Sequence, residues 1–291
     1  MDVLSDVLAV LRTGRPRSML LGWDEPWGQE FAAVPGALGF QVVLSGSCWL
    51  LPPGGADPVR CGEGDVVLRP YGRAHALVSS PEVPYAPCAA EPGPPPRGRD
   101  VVTLCGAYET DPARTHPLVQ ELPEWIHVAP SAELGAAVGL LAAELRRPGL
   151  GTDAAVPALL ETVLIYLLRH WYDARPAAAT GWAAALRDPV VGAALRALHE
   201  EPGRPWTVAS LGAHAGRSRA PFAGRFTALV GRPPLGYLTW WRMTLAARLL
   251  RDTDATVAVI AHRVGYRSEF AFATAFRRHH GSAPGRYRRI T

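Results

Sequence analysis

The feature that most limits what this chain can fold into is a repeat near its C-terminal end. Thr207, Val208, Ala209, Leu211 and Gly216 recur 49 positions later as Thr256, Val257, Ala258, Ile260 and Gly265. Ser218, Phe222, Phe226, Gly231, Pro234 and Tyr237 recur 50 positions later as Ser268, Phe272, Phe276, Gly281, Pro284 and Tyr287. The one-residue change of offset falls at a turn, where insertions are tolerated; on a helix it would rotate every later side chain off its face. Each copy holds a threonine suited to cap a short helix, a glycine for a turn and a serine suited to cap a second helix, followed by aromatics at helical spacing. That order predicts two helix-turn-helix units. In the first, Ala209 is the small residue expected where the helices cross, and Phe222, Phe226 and Leu229 are expected to face inward on a helix reaching about Val230. Pro234 to Leu250 is predicted as a long connecting helix with Leu235, Leu238, Trp241, Leu245 and Leu249 along one side.

Charge points the same way. The formal net charge is +4, but residues 184 to 291 carry 17 Arg against 6 acids, whereas residues 1 to 183 carry 13 Arg against 20 acids. A basic module joined to an acidic one fits a polyanion-binding part attached to a part with another task. All basic residues are Arg, whose planar fork matches phosphate or guanine with two parallel hydrogen bonds. The outward faces of the two second helices supply the candidate DNA contacts: Arg217, Ser218, Arg219, Ala220, Ala223 and Arg225 in the first unit, and Arg267, Ser268, Glu269, Phe270, Ala273, Thr274 and Arg277 in the second. Two such helices entering one face of a duplex must stand about one helical turn, ~34 Å, apart. Arg219 and Arg225 are expected on phosphates, Glu269 and Thr274 on base edges.

The first half reads differently. Short apolar runs broken by Gly and Pro, at Met19–Trp23, Phe40–Leu44, Cys48–Leu51, Asp65–Leu68, His75–Val78 and Val101–Cys105, predict an all-β barrel or sandwich. Proline-rich residues 84 to 99 read as a loop. Leu134, Val138, Leu141 and Leu145, then Leu159, Val163, Tyr166 and Leu167, mark two amphipathic helices, the second capped by Asp153. Leu160, Leu164 and Leu168 widen the second helix's apolar surface, which suits burial against a partner subunit as well as against the barrel. The amphipathic stretch Met1–Arg12 lacks a basic leader and cleavage motif, and the longest apolar stretch, Val156–Leu168, falls short of the ~20 residues needed to span a bilayer. The expectation is a cytoplasmic protein with no membrane partner.

Gly64, Pro70, Gly72 and His75 fit the spacing G-x5-P-x-G-x2-H, which resembles the second motif of the cupin family. That resemblance implies a hairpin with His75 pointing inward. The H-x-H stretch that would supply further metal ligands is absent from Phe40–Gly46, so a cupin metal site needing three or four ligands does not assemble. This argues against a cupin enzyme fused to a DNA-binding tail. Of the four cysteines, Cys88 and Cys105 fall near His75 in the strand reading; these are either small buried thiols beside a hydrogen-bonded interior histidine or, with a thiolate stabilised by a neighbouring imidazolium, a redox switch or a partial zinc site. The other input is a small molecule beside Trp23, Trp27 or Trp49.

Residues 190 to 290 resemble the DNA-binding domain of the AraC/XylS family of bacterial transcription regulators. The resemblance rests on Trp241-Arg242-Met243, Ala246-Ala247-Arg248-Leu249-Leu250, Ile260-Ala261, Val264-Gly265-Tyr266, Phe272, Phe276 and Gly281-Ser282-Ala283-Pro284-Gly285-Arg286-Tyr287-Arg288. It implies an α+β chain: a cupin-like β-barrel sensor with two dimerisation-type helices (residues 1 to 173), a linker (174 to 183) and an all-α domain of two helix-turn-helix units joined by a long helix (184 to 291). The partners it implies are double-stranded promoter DNA, a second copy of the chain, a small-molecule effector and, for an activator, RNA polymerase; no enzymatic activity is implied. Three residues depart from the pattern: Pro221 in the first turn of the first recognition helix, Gly224 in its interior at a cost of ~1 kcal/mol relative to Ala, and Trp240 at a commonly basic position.

Overall fold

The computed structural model describes residues 2–11, 16–88, 98–110, 116–175 and 181–290. The chain divides into two compact units, Leu11–Ala174 and a second formed by Met1–Val10 with Arg175–Thr291. The first ten residues group with Arg175–Thr291, and the boundary expected after residue 173 falls beside Ala174. The reason is visible in helix α1 (Val3–Leu11), which buries Val3, Val7, Leu8 and Val10 and sets the carboxylate of Asp6 3.1 Å from Nδ1 of His199.

The unit Leu11–Ala174 opens with β1 (Arg17–Trp23), β2 (Gly28–Phe31), β3 (Ala37–Ser45), β4 (Cys48–Leu51), β5 (Val59–Cys61), β6 (Val66–Arg69), β7 (His75–Val78), β8 (Ala86–Pro87) and β9 (Val101–Glu109). A short α2 (Pro117–Gln120) and β10 (Ile126–Val128) follow. The strands form two five-stranded sheets, ordered β1-β9-β3-β6-β10 and β5-β4-β7-β2-β8. Among the described residues no strand is hydrogen-bonded into both sheets, so the cupin-like domain is an open sandwich and not a closed barrel. Val43, Val67 and Val101 from one sheet meet Cys48, Leu50, Cys61 and Leu77 from the other in one core beside Trp27. Because side chains alternate across a strand, the registers place Arg17, Met19, Gly39, Gln41, Val67, Arg69, Cys105 and Ala107 together on the inner face of the first sheet. The motif glycine Gly72 is required: its φ is +58°, and a Cβ there would overlap the carbonyl oxygen of Val34, whose N–H donates to Gly72 O at 2.8 Å.

Helices α3 (Ala132–Arg146) and α4 (Thr152–Asp173) pack on one another. By length and hydropathy α4 resembles a membrane-crossing helix, yet its Leu160, Val163, Leu164, Leu167 and Leu168 are buried. Leu160, Leu164 and Leu168 are thus spent inside the chain and leave no partner surface of their own. The N-cap of α4 is Gly151, with no side-chain bond; Asp153 stands inside the first turn.

The other unit contains α5 (Gly181–Arg187), α6 (Pro189–Glu200), α7 (Val208–His214), α8 (Arg219–Val230), α9 (Pro234–Asp252), α10 (Val257–Arg263), α11 (Glu269–His280) and α12 (Pro284–Ile290). Of the expected linker, residues 176 to 180 lie outside the described residues, while 181 to 183 open α5. Trp182 there is fully buried, its ring 5.6 Å from that of Tyr237, so this core begins before Ala184. The repeat is carried down to single hydrogen bonds. Arg217 N donates to Gly212 O and Tyr266 N to Ala261 O, both at 2.8 Å; Gly231 N donates to Thr227 O at 2.9 Å and Gly281 N to Arg277 O at 2.8 Å. The close crossing of α7 and α8 falls at Gly212, where a Cβ would lie 2.8 Å from Arg217 O, and not at Ala209, which is exposed. Val230 is buried in the place expected for the half-buried Leu229. Helix α9 buries residues all round, including Tyr237, Trp240, Trp241, Met243, Ala247 and Leu250, because a helix-turn-helix unit packs on either part of it.

The caps differ between repeats. Thr207 Oγ1 accepts from Ser210 N at 3.0 Å while Ser210 Oγ accepts from Thr207 N at 2.9 Å, a reciprocal box. Thr256 and Ser268 accept from Val259 N and Ala271 N at 3.3 and 3.4 Å. Ser218 occupies the N-cap position of α8 but makes no side-chain cap bond, a correction to its expected role. Thr207→Ala is therefore expected to cost ~1 kcal/mol, and Ser218→Ala less than about half of that. Urea unfolding of the two variants checks this; equal losses would contradict the cap geometry.

Candidate nucleic-acid interface and sensor cavity

The two second helices present unequal surfaces. Around α8, Arg217, Ser218, Arg219 and Ala220 are exposed and Ala223 is half-buried. Nothing lies within 4 Å of a Cβ built on Gly224. Arg225 is committed elsewhere: its Nε donates to Asp188 Oδ2 at 2.7 Å, and that carboxylate also accepts the first amides of α6 from Val190 and Val191 at 2.9 and 2.8 Å. The Asp188 partner holds the Arg225 guanidinium above its ordinary range. Arg225 thus ties α6 to α8, a pairing that sequence reading missed because Asp188 stands 37 residues away.

Around α11, Arg267, Ser268, Glu269, Thr274 and Arg277 are exposed and Ala273 is half-buried; Phe270 is 83% exposed. Arg278, also exposed, was not among the residues expected from sequence, although the run Arg277-Arg278-His279-His280 carried the signal. An exposed phenyl ring flanked by a carboxylate, a hydroxyl and guanidinium groups can meet thymine methyls, base edges and phosphates together. The frame behind the two helices is stiff. Arg242, midway along α9, donates to Pro202 O at 2.7 Å and to Arg204 O at 2.8 Å, and a Cβ on Gly265 (φ +87°) would meet Gly203 O and the Arg242 guanidinium at 2.7 Å.

A buried polar chain, Asp6 to His199 to Tyr237, runs from α1 into this unit. His199 Nε2 lies 2.7 Å from the Tyr237 hydroxyl, and its ring stacks 4.1 Å from Trp241. Burial lowers the His199 pKa, with Asp6 acting in the opposite direction.

The β sandwich contains a cavity of ~740 Å³. Met19, Leu21, Phe31, Val34 and Ala107 form apolar wall, and Arg69, Cys88 and Cys105 also face it. Trp23 and Trp27 stack on each other at 4.4 Å against the core, and neither they nor Trp49 line this cavity. Three residues of the inner face form a relay with His75. Arg69 Nη1 donates to His75 Nδ1 at 2.9 Å, so the other ring nitrogen, Nε2, carries the proton and donates to Gln41 Oε1 at 2.9 Å; Gln41 Nε2 then donates to Cys105 Sγ at 3.1 Å. His75 also stacks on Phe31 at 4.8 Å. Burial first, and the Arg69 charge second, hold its pKa well below the ordinary value, so the ring is neutral.

These contacts correct the expected imidazolium–thiolate pair. His75 reaches Cys105 only through Gln41, and burial pushes the Cys105 thiol up to about 12, against the opposing pull of Arg69 and Gln41. Cys105 is protonated at neutral pH and gains no activation from a cationic histidine. Cys88 lines the same cavity. Among the described residues no three or more His, Cys, Asp or Glu side chains stand close enough to hold a metal ion, so the expected partial zinc site from His75, Cys88 and Cys105 does not form.

Comparison with known proteins covers both parts of the chain. A family model described as Cupin matches residues 2–173, and one described as Helix-turn-helix domain matches residues 211–290. A putative AraC-like transcription regulator of Streptomyces lividans is 38% identical over 99% of this chain and 98% of its own length. The RCS-specific HTH-type transcriptional activator RclR of Escherichia coli is 32% identical over 91% of this chain and 88% of its own. Among solved structures, the DNA-binding domain of AdpA in complex with a target DNA is 38% identical, covering 35% of this chain and 92% of that one at a TM-score of 0.34.

Proposed function

Because the chain belongs to the AraC-like family of transcription regulators, with a cupin domain ahead of a helix-turn-helix domain, we propose that α11 reads operator sequence and α8 chiefly positions the protein on it. The observation that carries this reading is the contrast in exposed chemistry: Glu269, Phe270, Thr274 and Arg277 on α11 against Ala220, Ala223 and Gly224 on α8. Phosphates are met by Arg217, Arg219, Arg267 and Arg277, and Ser218 and Ser268 stand at the helix starts beside them. The signal enters through the sandwich cavity, and the chain acts in the cytoplasm as a homodimer on double-stranded promoter DNA. The half-buried apolar residues Leu159 and Tyr166 of α4 supply the dimer contact. RNA polymerase is a partner if the output is activation, and no catalytic role is assigned.

The test is binding of the intact protein to genomic fragments that it retains. Affinity falls with salt at a log-log slope of about −0.9 per phosphate contact. Glu269→Ala relaxes preference at one or two base pairs, by ~1–3 kcal/mol each. Arg277→Ala weakens all sequences alike and shallows the slope by about one. Uniform loss in both variants would remove the proposed division of labour.

The relative from Escherichia coli named as specific for RCS favours a second input, oxidation of thiols facing the cavity. The high pKa of Cys105 weighs against it as the first site of attack, leaving half-buried Cys88 as the thiol to test. Cys88→Ser that preserves the response to hypochlorite would remove this reading.

A further inference from the structure

The cavity holds an uncompensated cation. Arg69 ends β6 on the inner face of the first sheet and lines the cavity. Its Nη1 is bonded to a neutral histidine, its Nε is buried without a partner, and among the described residues no carboxylate pairs with it. Burial lowers its pKa to about 10, which leaves it charged at neutral pH. The one carboxylate among the cavity residues, Glu30, is opposite Ala76, whereas Phe31 and His75 pair on β2 and β7 and stack inside the sandwich. Strand alternation therefore turns the Glu30 side chain to the other face of its sheet. Arg17, the second cation of the lining, is exposed and already bonded to Glu109 at 3.1 Å. A buried charge left unpaired is costly, and the arrangement is satisfied when a ligand brings the opposite charge.

We propose that the cavity binds an amphipathic organic anion whose carboxylate or equivalent group sits on Arg69 and whose apolar body fills the wall of Met19, Leu21, Phe31, Val34 and Ala107. Its ~740 Å³ lies within the usual range for small-molecule pockets. Arg69 lines the cavity with a guanidinium that no carboxylate neutralises among the described residues, and a charge-assisted hydrogen bond to it suits a carboxylate. The relay then gives the bound state a second consequence: neutralising Arg69 weakens the charge facing His75, and through Gln41 it alters the setting of Cys105. The inference rests on the reading of this cavity as the signal input.

The test uses the intact protein without DNA and three monoanions with different apolar bodies, decanoate, 4-phenylbutyrate and 1-naphthoate, each beside its neutral alcohol. Calorimetric titration is expected to show at least one anion binding tenfold or more tighter than its alcohol, with the preference lost in Arg69→Met and largely kept in Arg69→Lys. Ala107→Phe, which fills the wall and leaves Arg69 in place, is expected to abolish binding if Arg69→Met proves unstable. Equal affinity of every anion and its alcohol, or anion binding that survives Ala107→Phe, overturns the proposal. Salt-dependent DNA binding measured on the same preparation separates this outcome from failure of the regulator reading.

Discussion

Phe276→Ala is expected to remove ~3–5 kcal/mol from the second helix-turn-helix unit, while Phe270→Ala, six residues earlier on the same helix, changes stability by less than about 0.5 kcal/mol. Phe276 is fully buried among Met243, Ala246, Ile260 and Tyr287, its ring 5.2 Å from Tyr287 and 4.4 Å from His280. Truncation leaves a cavity in a small core whose walls are helices already tied by Gly281 and Arg242 and able to relax only in part. Phe270 touches little protein, so its loss is expected to appear in base preference at thymines and not in the folding midpoint. Urea unfolding followed by DNA binding at fixed salt distinguishes the two. A Phe276→Ala protein as stable as the wild type would mean that this core is not what holds α11.

Acid should weaken the sandwich through His75. Its folded pKa is held well below 6.5 by burial and by Arg69, so below about pH 6.5 the unfolded chain binds a proton that the folded one refuses. Stability from this ring is complete above the unfolded pKa and declines as pH falls, by ~1.4 kcal/mol per pH unit while the folded ring stays neutral. Arg69 faces it directly and the neutral thiol of Cys105 through Gln41; the backbone of Arg73 favours protonation but is outweighed by burial and Arg69. Between pH 6.5 and 5 the expected loss is about 2 kcal/mol. His75→Gln can accept from Arg69 and donate to Gln41 without titrating, so its acid sensitivity should be smaller by that amount. His199 is shifted in the same direction, but in the other unit, and it is common to both proteins. Parallel acid losses in wild type and variant would exclude His75 as the source.

The helical half was legible because a helix writes its buried face every three or four residues, and here the writing occurs twice. Phe222 and Phe272, and Phe226 and Phe276, are buried as pairs, and so are the recurring Tyr237 and Tyr287. Strands β2, β5 and β10 were not, since Gly28-Gln29-Glu30-Phe31, Val59-Arg60-Cys61 and Ile126-His127-Val128 are too short for an alternation to stand out from loops. The cavity was illegible for a different reason. Its residues come from β1, β2, β6, β8 and β9 and meet only through register, and Arg69 by itself is one arginine at the end of a strand. Outward direction was read correctly for Arg225, but exposure does not reveal a partner, and Asp188 claims it. Likewise α1 is amphipathic on its face; which core takes its apolar side depends on His199, far away in the chain.

The encirclement of α9 has a consequence for how this protein can change over generations. A residue gained or lost between Leu238 and Met243 would swing everything beyond it by ~100° and shift it 1.5 Å along the axis, tearing one set of buried contacts from the other. Length is therefore frozen there, and drift is confined to places such as the turn after Gly216, where the two copies already differ by a residue. On the reading proposed above, operators inherit the same rigidity: α9 fixes the number of base pairs between the segment that α8 rests on and the segment that α11 reads.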